Sequence, residues 1–350
     1  RPAARPAPAA LGPLTTIARI LEDPAGTPSE QVMLACREVS QWAESEGVLA
    51  TALAFAQAAA FACPGNAAAG LRVGVLARRR AEYARAETWF RRTIGLARQA
   101  RDWTSYSEAF LALANLYMQR GNLPVAKQLS IRAYRAAKRH SLRAVLAGSL
   151  HNLFVIAGLS EQHDEAESLA RAAHGAYDSE NPRVPVFAHD VAYFWSSRGQ
   201  FAPALAVSQA LLPHMSAPVD RMAVLGSIAR AAGGVGDRVA FEGVRDEIWR
   251  MARGTETAEQ AAAVLCDLAR GAASLGRWAE AEEAARTAEE LATARQQAQM
   301  AHTARSILEA VRNERGVDVG ARDREAGYAD MSDLATGIVQ TLDEHAGVGG

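Results

Sequence analysis

The stretch Leu113-Ala114-Asn115-Leu116-Tyr117-Met118-Gln119-Arg120-Gly121-Asn122-Leu123-Pro124-Val125-Ala126 decides the fold. A small residue, Ala114, stands seven positions before a turn-forming glycine, and a second, Ala126, stands five after it. Bulky apolar groups flank the turn at Tyr117 and Leu123. Working outward, the same arrangement recurs about Gly47, Ala81, Gly121, Glu161, Gly199, Gly236 and Gly276, at separations of 34, 40, 40, 38, 37 and 40 residues. The position seven before each turn holds Ser40, Gly74, Ala114, Phe154, Ala192, Ala229 or Ala269; five after it stands Ala52, Ala86, Ala126, Ala166, Ala204, Phe241 or Ala281. Antiparallel helices approach closely only where the crossing side chains are small. The pattern therefore predicts seven helical hairpins, each unable to bury its apolar face alone, stacked into one continuous array.

Two copies depart from the pattern. Phe154 and His163 replace the small and bulky residues around Glu161, and Arg238 and Phe241 do so around Gly236, which predicts a local tilt of those hairpins. The spacings above 34 residues predict longer helices or longer connections.

Composition narrows the rest. Strand signals are nearly absent, so the fold class is all-α. Of the 38 basic residues only Lys127 and Lys138 are lysines, and with the high alanine content this points to a GC-rich bacterial genome. Cys36, Cys63 and Cys266 are an odd number without metal spacing, so they read as small core residues and not as a disulfide framework. Val48 to Cys63 is too short for a membrane span and reads as a core helix. Residues 1–13, opening Arg1-Pro2-Ala3-Ala4-Arg5-Pro6-Ala7-Pro8, read as an extended linker, left where a signal sequence or an upstream domain was removed or where the chain was trimmed. The expected compartment is the cytoplasm, with export after signal removal left open.

Charge is uneven although the net is −1: Leu71 to Leu150 carries 16 basic against 4 acidic residues, and Ala240 to Gly350 carries 12 against 20. Either these are solvated outer faces, or residues 71–150 of one copy meet residues 240–350 of the next in a head-to-tail homo-oligomer. Nucleic acid is not an expected partner, because the pI is near neutral and no reading module is present.

The motifs Leu113-Ala114-x-x-Tyr117-x-x-x-Gly121-x-Leu123-x-x-Ala126, Val191-Ala192-x-x-Trp195-x-x-x-Gly199-x-Phe201-x-x-Ala204 and Leu268-Ala269-x-x-Ala272-x-x-x-Gly276-x-Trp278-x-x-Ala281 resemble the tetratricopeptide repeat (TPR). The resemblance covers about residues 28 to 315. It implies an α-solenoid of about seven antiparallel helix pairs, wound as a right-handed superhelix with the first helices lining a concave, peptide-binding groove. Carried onto this chain, it gives Asn115, His151, Asn152, His189, Tyr193 and Arg230 as candidate groove residues. Leu111, Met118, Val155 and Ser196 share their register. Amides can pair with an extended peptide backbone, and tyrosine offers a rigid apolar face with a hydroxyl. Asn115 and Asn152 match the two asparagines with which some family members grip the acidic C-terminus of heat-shock chaperones. That ligand is rejected, because Leu111, Val186 and Asp190 stand where such a clamp needs cations. Hydrogen bonding between neighbouring helices is the alternative role for the two asparagines.

No catalytic set emerges. His189 and Asp190 are adjacent on a helix and point about 100° apart, and no nucleophile is placed beside them. Gly233-Gly234-Val235-Gly236-Asp237 lacks the lysine and hydroxyl of a phosphate loop, and its register makes Gly236 an ordinary turn. No cofactor or metal is implied.

Residues 316–350 read as a tail, a polar stretch from Gly316 to Gly327 and then a short amphipathic helix with Met331, Leu334, Ile338, Val339 and Leu342 on one face. That helix either caps the last repeat, docks into a groove of its own or a neighbouring chain, or stays unfolded. With 14–315 as the solenoid, the leading reading is a non-enzymatic scaffold that binds a protein or peptide. The sensor portion of a larger bacterial signalling or transcription protein and a self-assembling structural protein are the alternatives.

Overall fold

Each of the seven turn positions holds a left-handed residue: φ is 73° at Gly47, 59° at Ala81, 73° at Gly121, 57° at Glu161, 77° at Gly199, 81° at Gly236 and 72° at Gly276. One residue beyond each, a backbone N–H reaches back five residues to a helical carbonyl. Val48 N–H donates to Ala43 O at 2.8 Å. At 2.9 Å the donors Glu82, Asn122, Gln162, Gln200, Asp237 and Arg277 reach Ala77, Tyr117, Ala157, Trp195, Ala232 and Ala272. This Schellman closure satisfies carbonyls that a helix end would otherwise leave unpaired, and it reverses the chain within three residues.

The computed structural model describes residues 8–23, 26–254, 257–313 and 331–348. Helix α1 (Pro8–Glu22) precedes seven hairpins. They are α2 (Ser29–Ser45) with α3 (Leu49–Ala62), α4 (Ala67–Arg79) with α5 (Tyr83–Ala100), α6 (Trp103–Gln119) with α7 (Leu123–Arg139), and α8 (Arg143–Leu159) with α9 (His163–Ala176). Then come α10 (Val184–Ser197) with α11 (Phe201–Leu211), α12 (Pro218–Val235) with α13 (Arg238–Ala252), and α14 (Ala261–Ser274) with α15 (Trp278–Ala294). Helices α16 (Ala298–Arg312) and α17 (Ser332–Val348) follow, and among the described residues there is no strand. The architecture is an all-α, tetratricopeptide-like stack of helix pairs. Side-chain oxygens of Asn66, Asp102, Asn122 and Asp237 cap α4, α6, α7 and α13 by accepting the N–H three residues on.

Helix α1 begins at Pro8, inside the stretch 1–13 read as a linker. Proline suits a first helical position, and Ala9, Ala10 and Leu11 favour the helix that follows. Residues 1–7 and the polar stretch Gly316 to Gly327 lie outside the described residues. The chain divides into two compact units, Arg1–Ala176 and Tyr177–Gly350.

In the first unit the 40-residue spacing comes from longer helices: α5 has 18 residues and α6, α7 and α8 have 17 each. Arg101 and Ser141 close the turns between hairpins in the same left-handed conformation, at φ 56° and 54°. All the small crossing residues are buried, and Gly74 has no side chain because the Phe90 ring occupies that volume. Ion pairs and a hydrogen bond bridge successive hairpins. Glu44 holds Arg72 and Arg79, Tyr117 Oη donates to Glu87 Oε1 at 2.8 Å, and Lys127 Nζ meets Glu165 at 3.1 Å.

In the second unit the spacing is made up by connections, since α10 and α11 have only 14 and 11 residues. The bulky Phe241 is fully buried. It fits because α12 and α14 meet through glycines: a Cβ on Gly271 would strike the Ala229 carbonyl and lie 3.1 Å from Phe241 Cε2, and one on Gly233 would strike the Gly271 backbone. The missing side chain at Gly271 leaves the Phe241 ring the space that a Cβ there would contest. Helix α17 packs against α11 and α10, the first hairpin of this unit. It buries Met331, Leu334, Ile338 and Leu342, four of the five residues its periodicity marked, while Val339 is half-buried. His345 Nδ1 lies 2.5 Å from the Ser179 carbonyl, with its ring 6.0 Å from that of His214.

Candidate functional site

The first helix of each hairpin repeats one register, so residues six and nine or ten before each turn recur on one face. In the first unit this places Asn115 on α6 and His151 and Asn152 on α8. Asn152 Nδ2 donates to Asn115 Oδ1 at 2.5 Å. Asn152 and His151 are each only 6% exposed, and the His151 ring stacks on Phe154 at 6.3 Å. The two asparagines thus pair between neighbouring helices, which leaves half-buried Asn115 as the member of the pair nearer to solvent.

In the second unit three successive first helices bring a polar cluster together. Tyr193 on α10 is 49% exposed. Arg230 on α12, 7% exposed, points Nη1 at Asp267 Oδ1 of α14 at 3.7 Å, and Arg270 Nη1 donates to the same oxygen at 3.1 Å. Asp267 is held between two guanidinium groups in a largely dry setting, where such charge-assisted contacts are strong. The Asp267 charge, with burial behind it, pushes the Tyr193 phenol above its ordinary value, and Arg230 and Arg270 partly offset this. The phenol therefore stays protonated and can donate a hydrogen bond. His189 Nδ1 lies 3.7 Å from Asp190 Oδ1, too far for a hydrogen bond.

Of the six candidates, Tyr193 and Arg230 meet in one cluster, Asn115 and Asn152 meet in another, and His151 is buried beside Phe154. His189 lies one turn before Tyr193 on α10. Asp267 and Arg270 were missed, although they stand nine and six residues before Gly276 in the same register. Extending the candidate register to the seventh hairpin finds both.

The arrangement suits binding. Burial pushes the Cys266 thiol to about 12, so the nearest cysteine stays an inert thiol. In the basic segment Glu82 pairs with Arg80 and Arg85, and Glu87 with Arg91 and Arg120. Among the described residues no helix is long and apolar enough to cross a membrane.

No protein-family model and no curated protein matches the chain. Solved structures similar to it include BtubC (BKLC) from P. vanneervenii, with 16% identity over 64% of this chain and 91% of that one and a TM-score of 0.47. Another is the TPR2AB domain of yeast Sti1 in its pHSP90 complex, with 13% identity over 80% and 98% and a TM-score of 0.30. A third is PH0952 from Pyrococcus horikoshii, a signal-transduction ATPase with numerous domains and a tetratricopeptide repeat sensor. It shows 11% identity over 99% of this chain and 51% of that one, with a TM-score of 0.42. These likenesses are distant, and the tetratricopeptide-like architecture stands on the chain's own seven hairpins.

Proposed function

We propose that the protein is a non-catalytic adapter that binds a peptide, or an extended segment of another protein, on the first-helix face of its second unit. The observation that carries this reading is the convergence of Tyr193, Arg230, Asp267 and Arg270 from three successive first helices. A half-exposed tyrosine gives an incoming chain a rigid apolar surface and a donor. Beside it, a carboxylate fixed by two arginines gives preorganised polar groups that lose little entropy on binding. Tyrosine and arginine are also the residue types that dominate binding energy at interfaces. The three free cysteines fit a reducing compartment, and we assign the cytoplasm.

The test is selection of peptides from a random display library on the full chain, followed by affinity measurement against Tyr193→Ala and Arg270→Gln variants with wild-type circular dichroism. Selected peptides are expected to lose at least about tenfold in affinity for each variant, the size of a hot-spot loss. Peptides that bind both variants as tightly as the wild type would refute this placement of the site.

A further inference from the structure

The first unit contains a cavity of about 180 Å³ between α2, α3 and α4. Its apolar lining is Met33, Ala56, Ala59, Ala68 and Ala69, and Arg37 and Arg72 are among the polar residues that complete it. The walls are small because alanines fill positions where larger residues would close the space. Arg37 lies ten residues before Gly47 and Arg72 nine before Ala81, so both occupy the register that carries His151 and Asn152 in the fourth hairpin.

No carboxylate lines the cavity; its polar lining is Arg37, Gln41, Asn66 and Arg72, with Ser40, whose hydroxyl donates to the Ala52 carbonyl at 2.8 Å. Arg72 turns Nη2 to Glu44, which also holds Arg79, and its Nε–H is buried without an acceptor among the described residues. Arg37 is exposed and has no ion pair among the described residues. Asn66 accepts the Ala69 N–H at 3.0 Å through Oδ1, which leaves its side-chain NH2 to donate. The Arg37 guanidinium and the Asn66 amide are the donors open to an incoming acceptor. A guanidinium fork matches a carboxylate in geometry and charge. An apolar cavity of about 150 Å³ accommodates benzene, so the walls here leave room for a group of that size.

We propose that this cavity is a binding pocket for a small organic acid, a carboxylate carrying an apolar body no larger than a phenyl ring. The same chemistry is presented by a free aromatic or aliphatic acid and by the terminal residue of a peptide, and the free acid is the occupant assigned. The pocket lies in the first unit and stands apart from the peptide-binding reading of the second, so either can fail alone.

The test titrates the full chain with benzoate by calorimetry and ligand-observed NMR, with benzamide as the uncharged counterpart. An acetylated dipeptide ending in phenylalanine carboxylate, and its amide, form the second arm. The variants are Arg37→Gln, whose side chain holds no structural ion pair, and Ala69→Leu, which fills the cavity. Saturable benzoate binding is expected, weakened about tenfold or more for benzamide and for Arg37→Gln, as loss of a charge-assisted contact implies, and abolished by Ala69→Leu. Benzoate binding without binding of the dipeptide acid confirms the free acid. Tighter binding of the dipeptide acid keeps the pocket but overturns the assigned source. Absence of saturable binding by both acids, or binding unchanged in both folded variants, overturns the pocket itself.

Discussion

Replacing Glu161 by glycine should stabilise the protein, although it removes a side chain and adds none. Glu161 sits at φ 57° in the turn between α8 and α9, exposed, in a position where five other hairpins place glycine at φ 72° to 81°. The left-handed conformation costs an L-residue roughly 1–2 kcal/mol. Glycine removes that cost but enlarges the unfolded ensemble, which takes back about 0.4–1 kcal/mol. The net gain is about 0.5–1 kcal/mol, or a rise of about 1–3 °C in midpoint for a chain segment of this size. The reverse exchange is a clean control. A Cβ added to Gly121 or Gly236 meets nothing within 4 Å, so Gly121→Ala and Gly236→Ala report the backbone cost alone and should lose stability by a similar amount. Urea unfolding followed by circular dichroism measures both, with an unchanged m-value as the sign that the unfolded state is comparable. If Glu161→Gly weakens the protein while Gly121→Ala leaves it unaffected, the left-handed closure is not what makes these turns.

Three further outcomes are expected. Gly271→Val should cost about 1–3 kcal/mol of stability, read as a lower urea midpoint at unchanged m, because its side chain would strike the Ala229 carbonyl and the Phe241 ring; a wild-type midpoint would refute the close approach of α12 and α14. Asn115→Ala should cost about 1–3 kcal/mol, because it leaves the buried Asn152 amide without its acceptor. A double-mutant cycle should then give a coupling of about 0.5–1.5 kcal/mol, and strict additivity would dissolve the pair. Docking of α17 should weaken in acid. Burial, and then the neighbouring His345, hold the His214 pKa below its ordinary 6.5, against a smaller opposing effect of Asp343. The folded state thus favours neutral His214, so its contribution is complete above pH 6.5 and is lost as the pH falls below that value. Hydrogen exchange of residues 331–348 at pH 7.5 and pH 5 should show the loss, and His214→Gln should reduce it; equal protection at both pH values with wild-type His214 would remove the effect.

The hairpins were legible in the sequence because a turn glycine and two small residues at fixed distances have few other physical causes. Other features needed a partner from elsewhere in the fold. Phe241 looked like a defect in its own repeat, and only Gly271, thirty residues on, makes it fit. The face of α17 announced that it would be buried but carried no address, because an apolar stripe specifies burial and not against what. Asn115 and Asn152 were visible as neighbours in register, whereas the choice between a ligand and each other depended on a 2.5 Å contact. The alanines around the α2–α4 cavity resemble those that let helices touch, and volume left empty has no signature in a sequence.

The central claim is that the first-helix face of the second unit binds a partner. It is tested most directly by affinity capture from the native host's lysate with mass spectrometry, comparing wild type with Tyr193→Ala and Arg270→Gln proteins of confirmed fold. A protein retained by the wild type and lost from both variants is the predicted result. The same proteins retained by all three forms would contradict it.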